Sequence, residues 1–256
     1  MPSSVSFGQA VALGLLHGPA ELLPISSSGH VTVVPWLLGW HYSELDGQER
    51  KAFEVALHAG TAAALAIVMR RELRIDGLVA LSAAPPAVAG YAFERAIKSH
   101  LGTPTTVAAG LVAGGIAMAL ADRGPERREA QDAGPADALW LGVAQACALI
   151  PGVSRNGATL AAARWRGFGR GAAGRLSWHV ALAPIAGATL LEAVRVRRVS
   201  GCVAVGAACA FVSTLGSHRL LHRPRPLLPF AMYRIGLAST VLARKGAASR
   251  KIGTSR

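Results

Sequence analysis

Two short polar patches interrupt apolar stretches at corresponding places in the two halves of the chain, and they limit what it can fold into. The first patch, residues 24–30, reads PISSSGH, and the second, residues 151–159, reads PGVSRNGAT. The apolar pieces on either side are about 10–16 residues long, whereas a helix needs about 20 residues to cross a bilayer. Each pair of pieces therefore predicts a helix that enters a membrane, breaks at the patch and returns on the same side. Broken backbone survives in a membrane only where protein or a water-filled cavity surrounds it.

The composition favours a membrane protein over a soluble one. Of the 256 residues, 52% are hydrophobic and 16% are charged, and the mean hydropathy is +0.37. A soluble alanine-rich helical enzyme is the alternative, but its charges would recur along helix faces. Here the charges collect in short clusters between apolar stretches, which is typical of a protein with several membrane-spanning helices.

The net charge of +13 raises the question of a nucleic-acid partner. In a soluble protein such a charge would indicate nucleic-acid binding. Here the basic residues lie in loops between apolar segments and in the tail after Leu242, so we expect them to contact anionic membrane lipids and predict no nucleic-acid partner. Arg155 and Arg234 are exceptions, because they lie within apolar or motif segments. An arginine at membrane depth indicates a functional site.

The order of the segments divides the chain into two similar halves. Residues 1–121 form a first predicted membrane repeat, residues 122–137 a polar linker, residues 138–243 a second repeat and residues 244–256 a basic tail. After each broken hairpin come three apolar segments, at about 53–69, 77–93 and 105–121 and at about 176–194, 199–216 and 227–243.

This order predicts an all-α polytopic membrane protein in which each repeat is a re-entrant helical hairpin plus about three transmembrane helices. Three crossings are an odd number, so the two repeats have inverted topology. In such folds the broken helices of the two repeats meet near the membrane midplane, where they form the functional site.

The first patch and the helix before it carry a carboxylate, three hydroxyls and an imidazole. Glu21 and His30 flank Ser26, Ser27 and Ser28. A serine becomes a nucleophile where a base takes its proton, and histidine is the usual base. The carboxylate could orient the histidine or hold a divalent cation through its oxygens. The alternative is a helix cap, in which a serine hydroxyl accepts from free amides, and the two interpretations are compatible.

The second patch has the composition of a phosphate site. Its glycines expose backbone amides to an anion, a helix beginning near Ala158 would add its positive end, and Arg155 could bind phosphate oxygens at two points. No Gly-Lys-Ser/Thr sequence follows, so the patch is not a Walker nucleotide loop. The alternative is an ordinary loop with one solvated arginine. The candidate contact residues are Gly152, Ser154, Arg155, Asn156, Gly157 and Thr159.

Together the two patches predict a substrate that is anionic, phosphorylated and reachable from lipid, and a prenyl phospholipid meets these conditions. Two classes of protein remain open. A phosphatase would use Ser27 or a water as nucleophile, with His30 handling the proton, whereas a transporter of prenyl monophosphate would need Arg155 alone. Broken helices at the midplane are also a transporter design.

The motifs resemble those of the bacitracin-resistance type undecaprenyl-diphosphate phosphatases. Residues 17–30, HGPAELLPISSSGH, resemble the first motif of that family, and residues 151–159 resemble the second. Residues 53–61, FEVALHAGT, and residues 229–235, PFAMYRI, are also similar to family segments. The resemblance therefore runs over most of the chain.

The resemblance implies a multi-pass enzyme of the bacterial inner membrane that removes the terminal phosphate of undecaprenyl diphosphate. The product is the lipid carrier of peptidoglycan synthesis, and the activity confers bacitracin resistance. Family members use a divalent cation, Mg²⁺ or Ca²⁺, and are often homodimers. Other lipid diphosphates remain open as substrates, since the groove shape decides chain length. By resemblance the catalytic residues are Glu21, Ser27, His30 and Arg155, with Glu21 also a metal ligand, and the supporting phosphate contacts are Ser26, Ser154 and Thr159.

Two positions depart from the family pattern. The family has Glu or Gln four residues before Glu21, where this chain has His17. Residues i and i+4 share a helix face, so we expect His17 beside Glu21, binding substrate or metal. Because Mg²⁺ and Ca²⁺ prefer oxygen ligands, this departure weakens the expectation of those ions. The second motif usually reads Ser-Arg-Ser-Gly, and Asn156 in place of the last serine keeps one donor and one acceptor.

Overall fold

The computed structural model describes residues 4–72, 74–194, 200–221 and 223–253, and within these ranges the chain is helical without a strand. Three short 3₁₀ turns, His41–Glu44, Ala130–Asp132 and His218–Leu220, join longer helices. The α-helices are α1 Phe7–Leu22, α2 Ser27–Leu38, α3 Gly47–Val68, α4 Gly77–His100, α5 Pro104–Ala121, α6 Pro135–Cys147, α7 Arg155–Trp165, α8 Arg170–Ala193, α9 Gly201–Ser217 and α10 Leu228–Gly253.

The two predicted helix breaks are present, between α1 and α2 and between α6 and α7. One predicted boundary is wrong, because α7 begins at Arg155 and not near Ala158. The last helix, α10, extends to Gly253, beyond the apolar segment predicted to end near residue 243. The predicted basic tail is thus largely helical, and its residues 254–256 lie outside the described residues. Basic side chains on a helix cost little propensity, so a sequence of small and basic residues can prolong a helix into solvent.

Polar residues cap most of the helices. Asp46 and Asp76 accept from the amides of Gln48 and Val79 at 2.9 and 3.0 Å. Thr103 forms a capping box with Thr106 at the start of α5. Each cap satisfies an amide that has no partner within its helix, so the local sequence sets where the helix begins.

Three described helices, or helical stretches, are long and apolar enough to cross a membrane: Gly47–Val68, Pro104–Ala121 and Gly201–Leu220. They belong to α3, α5 and α9. Helices α4, α8 and α10, with 24, 24 and 26 residues, are also long enough, since a helix rises about 1.5 Å per residue. Large apolar side chains such as Phe7, Tyr91 and Leu190 are 65%, 88% and 67% exposed, as expected of a surface that faces lipid.

Helices of the two halves pack across each other through small residues. Helix α1 packs mainly on α9, and α6 packs mainly on α4. A Cβ at Gly14 of α1 would lie 2.6 Å from the Gly206 carbonyl of α9, and a Cβ at Gly142 of α6 would lie 2.7 Å from the Ser82 carbonyl of α4. In a membrane the hydrophobic effect does not drive helices together, because lipid is as apolar as the side chains. Small residues let the helix backbones approach closely, and packing between them then stabilises the contact. Glycine is therefore required at these two contacts.

Replacing Gly14 with alanine is expected to destabilise the protein by about 1–3 kcal/mol, because the added methyl overpacks the contact between α1 and α9. A Cβ at Gly8 on the same helix would have no atom of another described element within 4 Å. Gly8→Ala should therefore leave the thermal midpoint in detergent unchanged or raise it through better helix propensity. Equal midpoints for Gly14→Ala and Gly8→Ala would contradict this account of the packing.

The predicted linker is held against the second half by arginines and is only partly solvated. Asp137 is buried and accepts from Arg128 at 2.8 and 2.9 Å and from Arg166 at 2.8 Å. Burial acts to raise the pKa of Asp137, but the hydrogen bonds from Arg128, from the Gly134 amide and from Arg166 outweigh it and hold the pKa well below its usual range. Arg164, also buried, donates to the carbonyl of Gly124 in the linker and to the carbonyl of Phe168 after α7. These bonds fix the C-terminal end of α7.

Candidate functional site

Both helix breaks use the same uncommon backbone. Ser26 and Ser154 have φ of 76° and 63° and are the only non-glycine residues with positive φ in the described part of the chain. The Ser26 hydroxyl accepts from the amide of Gly29 at 3.2 Å, and the Ser154 hydroxyl accepts from the amide of Gly157 at 3.2 Å. Both serines therefore cap a helix, as the alternative interpretation of the first patch predicts. Unfavourable backbone of this kind costs about 1–3 kcal/mol and clusters at functional sites.

Arg234 joins the two breaks from behind. Its side chain is fully buried, and it donates to the carbonyls of Pro24 at 3.3 Å, Gly152 at 2.7 Å and Val153 at 2.9 Å. A Cβ at Gly157 would lie 2.7 Å from the Arg234 guanidinium, so glycine makes room for it. The sequence indicates a functional Arg234. In the structure it satisfies carbonyls that the broken helices leave free, which a membrane interior requires.

The front sides of the two breaks meet directly. Arg155 donates to Glu21 Oε1 at 2.8 Å, and Asn156 donates to the Leu22 carbonyl at 2.9 Å. The side chains of Arg155 and Glu21 are only 13% and 11% exposed. The predicted meeting of the two patches is therefore found in the structure, with Glu21 and Arg155 in contact.

Glu21 also binds Ser27. The Ser27 hydroxyl donates to Glu21 Oε2 at 2.5 Å, a length typical of a hydroxyl on a carboxylate. The carboxylate thus bridges Ser27 and Arg155, one at each oxygen. The sequence assigns the base beside Ser27 to His30, and in the structure Glu21 occupies that position.

His30 has other partners. Its Nδ1 lies 2.7 Å from the Ser26 carbonyl, which only accepts, so Nδ1 carries the proton. Its Nε2 then accepts from the Tyr233 hydroxyl at 2.7 Å, and the two rings stack with centroids 5.7 Å apart. Among the described residues no hydrogen bond joins His30 to Ser27. Tyr233 lies in residues 229–235, which resemble a family segment. Nothing in the sequence predicts its contact with His30, which is 203 residues away.

Arg155 has a buried donor without a hydrogen-bond partner among the described residues. Its guanidinium lies over the ring of Trp178, with Cζ 5.0 Å from the centroid. Its Nη1 is buried and finds no hydrogen-bond partner among the described residues. A buried charged donor without an acceptor is costly, so this atom favours an anionic ligand. The phosphate-binding role of Arg155 stays a prediction.

His17 lies beside Glu21, as the i, i+4 spacing predicts. Its Nδ1 contacts the Thr61 hydroxyl at 2.9 Å, and its Nε2 is buried without a partner in the described structure. The ring of His58 packs edge-on against it, with centroids 4.6 Å apart. His17, Glu21 and His58 each offer one atom that could bind a metal ion, and these three atoms lie within 4.8 Å of one another. Sequence reasoning misses His58, whose only signal is its place in a segment similar to the family.

The other predicted contacts of the second patch shape the loop. Thr159 is fully buried, and its hydroxyl lies 2.6 Å from that of Ser177, which donates to Asn156 Oδ1 at 3.0 Å. Gly152 has φ of 95°, and a Cβ there would lie 2.9 Å from the Leu111 amide of α5. These residues hold Asn156 and the loop from behind Arg155.

A large cavity adjoins the site. It has a volume of about 780 Å³. Trp178, whose ring contacts the Arg155 guanidinium, is one of its lining residues. Apolar side chains of α3, α4 and α8 form most of its wall, among them Ala66, Leu78, Leu182 and Ile185. Charged side chains also line it: Glu72, Arg74, Arg170, Arg175 and Arg223. Arg170 and Arg175 form ion pairs with acidic residues of the linker, and basic groups outnumber the one carboxylate of the lining. An apolar cavity with basic groups suits a ligand that has both a hydrocarbon part and a negative charge.

Comparison with known proteins gives a consistent result. A family model described as Bacitracin resistance protein BacA matches residues 10–240. An undecaprenyl-diphosphatase of Geobacter sulfurreducens is 36% identical over an alignment of 265 positions, which covers 91% of this chain and 96% of the relative. An undecaprenyl-diphosphatase of Pelotomaculum thermopropionicum is 35% identical, with 96% and 98% covered. Undecaprenyl-diphosphatase 2 of Rhodospirillum rubrum is 35% identical, with 92% and 93% covered.

Proposed function

The chain belongs to the family of the bacitracin resistance protein BacA, and we infer from this membership that it is an undecaprenyl-diphosphate phosphatase. It removes the terminal phosphate of the lipid and so returns undecaprenyl phosphate to cell-wall synthesis. The observation that carries this function at the level of the site is the unpartnered Nη1 of Arg155, next to a serine whose hydroxyl is bound to Glu21.

The geometry supports a reaction in two steps. Ser27 Oγ attacks the terminal phosphorus, and the bond from this phosphorus to the bridging oxygen breaks. Glu21 accepts the hydroxyl proton and passes it to the departing undecaprenyl phosphate. A water then attacks the phosphoserine, with its proton taken by Glu21 and returned to Ser27, and inorganic phosphate leaves. The 2.5 Å bond between Ser27 and Glu21 supports this assignment.

Arg155 stabilises the charge that builds on the transferred phosphoryl group. Positioning and charge stabilisation account for most of the catalysis of phosphoryl transfer. Its Nη1 is free to donate to a phosphate oxygen while Nη2 continues to donate to Glu21. His30 holds the Ser26 carbonyl and therefore the first turn of α2. The proton-handling role predicted for His30 requires the imidazole to leave Tyr233.

The Mg²⁺ or Ca²⁺ cofactor that the resemblance implies does not fit the donor set. These ions take six or more oxygen ligands, mostly carboxylates, carbonyls and water. Next to Glu21 the chain offers two imidazoles, His17 and His58, as the other members of the cluster. We therefore assign no reaction step to such an ion.

The cavity beside Trp178 is the proposed site of the prenyl chain. Its apolar wall suits isoprene units, and the shared Trp178 connects it to the diphosphate at Arg155. Burying hydrocarbon there stabilises binding by about 25 cal/mol per Å² of apolar surface. With its prenyl chain in the cavity, a membrane lipid can place its diphosphate beside the buried Ser27.

The inverted repeat of two hairpins is also proposed, on three observations. Each half has one broken helix pair followed by three long helices, and the caps Ser26 and Ser154 share one conformation. The packing is reciprocal, because the first helix of each half packs on the second long helix of the other. An odd number of crossings per half gives opposite orientation. We also propose the bacterial inner membrane as location, and the homodimer implied by the resemblance stays a prediction.

A direct assay tests the function against its transporter rival. Purified protein in detergent is expected to release phosphate from undecaprenyl diphosphate and, more slowly, from farnesyl diphosphate, whose short chain fills less of the cavity. In vesicles, lipid phosphate that changes leaflet without any phosphate release would favour the transporter and contradict the enzyme. Full activity in both Arg155→Ala and His30→Ala would refute the proposed site.

A further inference from the structure

A chain of hydrogen bonds fixes the proton of His17. The Thr214 hydroxyl donates to the Ala210 carbonyl at 2.7 Å, so it accepts from Thr61 at 3.2 Å. Thr61 has then used its only proton, and it accepts from His17 Nδ1 at 2.9 Å. The proton of neutral His17 is therefore on Nδ1, and Nε2 keeps its lone pair. This order of donors is the outer shell that metal-binding histidines commonly have.

The lone pair of His17 Nε2 is buried and lacks a donor. His17 is 1% exposed, and Nε2 has no hydrogen-bond partner among the described residues. The groups that share its surroundings are Glu21, an acceptor, and His58 of α3. The carboxylate cannot donate to Nε2, and no hydrogen bond joins Nε2 to His58 among the described residues. A cation is a ligand that takes lone pairs from Nε2 and from Glu21 at once.

We propose that His17, Glu21 and His58 bind one divalent transition-metal ion of the Zn²⁺ class. Two residues at i and i+4 on one helix face, with a third ligand from another element, are a common arrangement of zinc ligands. Imidazole nitrogen favours zinc and its neighbours over Mg²⁺ and Ca²⁺. This proposal deepens the proposed function, on which it rests for the position of the ion beside the substrate phosphate.

The spacing of the donors allows an ion. They lie within 4.8 Å of one another, and zinc holds nitrogen at about 2.0–2.1 Å, so the side chains close by about 1 Å on binding. Glu21 keeps lone pairs for the ion, because each carboxylate oxygen accepts two bonds and each now has one protein donor, Arg155 or Ser27. Three protein ligands leave a fourth position open to a phosphate oxygen.

Metal binding to the full chain in detergent, purified without a histidine tag, tests the proposal in the absence of substrate. We expect one Co²⁺ per chain with a tetrahedral optical spectrum, displaced by Zn²⁺ and unaffected by millimolar Mg²⁺ or Ca²⁺. His17→Ala and His58→Ala should each weaken Co²⁺ binding at least tenfold. Thr61→Val removes only the hydrogen bond between Thr61 and His17 Nδ1, and it should weaken Co²⁺ binding by about 10–100-fold. The exposed His218 serves as control, and His218→Ala should bind like the parent protein.

His17→Glu gives the sharpest comparison. It replaces nitrogen by oxygen, so affinity for Co²⁺ should fall while affinity for Ca²⁺ and Mg²⁺ rises. Parent protein that binds Mg²⁺ as tightly as Co²⁺, or Co²⁺ binding that survives both histidine variants, would overturn the proposal. The metal site and the proposed phosphatase activity are tested by separate measurements. Phosphate release without Co²⁺ binding overturns the metal site alone, whereas Co²⁺ binding without phosphate release leaves the site and overturns the enzyme.

Discussion

Arg155→Ala is expected to lower kcat for phosphate release by about 10³-fold, which corresponds to about 4 kcal/mol of transition-state stabilisation. The guanidinium has two tasks in the structure: Nη2 holds Glu21 at 2.8 Å, and Nη1 is left for phosphate. Both are lost in alanine. Arg155→Lys keeps the charge but offers no planar pair of donors, so it should recover only part of the activity. Phosphate release under saturating lipid measures these effects.

Two controls separate catalysis from folding. Arg219 is exposed in the turn after α9, and Arg219→Ala removes the same charge without touching the site, so its kcat should equal that of the parent. Thermal unfolding in detergent shows whether Arg155→Ala still folds. A folded Arg155→Ala protein with kcat within threefold of the parent would contradict the assignment of Arg155 to the phosphoryl group.

Local patterns made part of this site predictable. The breaks follow from polar residues in apolar pieces too short to span a membrane. The serine cap of the first patch also follows from its sequence, whereas the cap by Ser154 is visible only in the structure. His17 beside Glu21 follows from helix periodicity alone. The contact of Glu21 with Arg155 needs a further step, the idea that two broken hairpins meet, and that idea came from the similarity between the halves. Each of these inferences depends on residues near in sequence or on a repeated pattern.

The rest depends on packing between distant helices. Tyr233 reaches His30 from α10, and His58 reaches His17 from α3. No spacing in the sequence encodes these pairs, because the angle at which two helices cross decides which side chains meet. Packing between distant helices also explains why the sequence assigns His30, and not Glu21, as the base beside Ser27. Ser27 and His30 lie one turn apart, which suggests a pair, but Tyr233 and the Ser26 carbonyl occupy both imidazole nitrogens.

Ser27→Ala is expected to have the second large effect, a fall in kcat of about 10³-fold or more. If Ser27 is the nucleophile, alanine removes the atom that bonds to phosphorus, and the residual rate reflects water attack assisted by Glu21 and Arg155. Substrate binding should persist, because Arg155 Nη1 and the cavity beside Trp178 are unchanged. KM should therefore change far less than kcat.

The matched variant is Ser28→Ala, which removes an exposed hydroxyl of α2. Among the described residues, the hydrogen-bond partner of this hydroxyl is Ser26, at 3.5 Å. Its kcat should stay within a few fold of the parent. Acid quenching of the parent during turnover of lipid labelled in the terminal phosphate should trap phosphate on Ser27. If Ser27→Ala retains a tenth of the activity and no label is trapped, the hydroxyl only orients an attacking water. Glu21 would then take its proton from that water, and the Ser27 bond to Glu21 would have a positioning role.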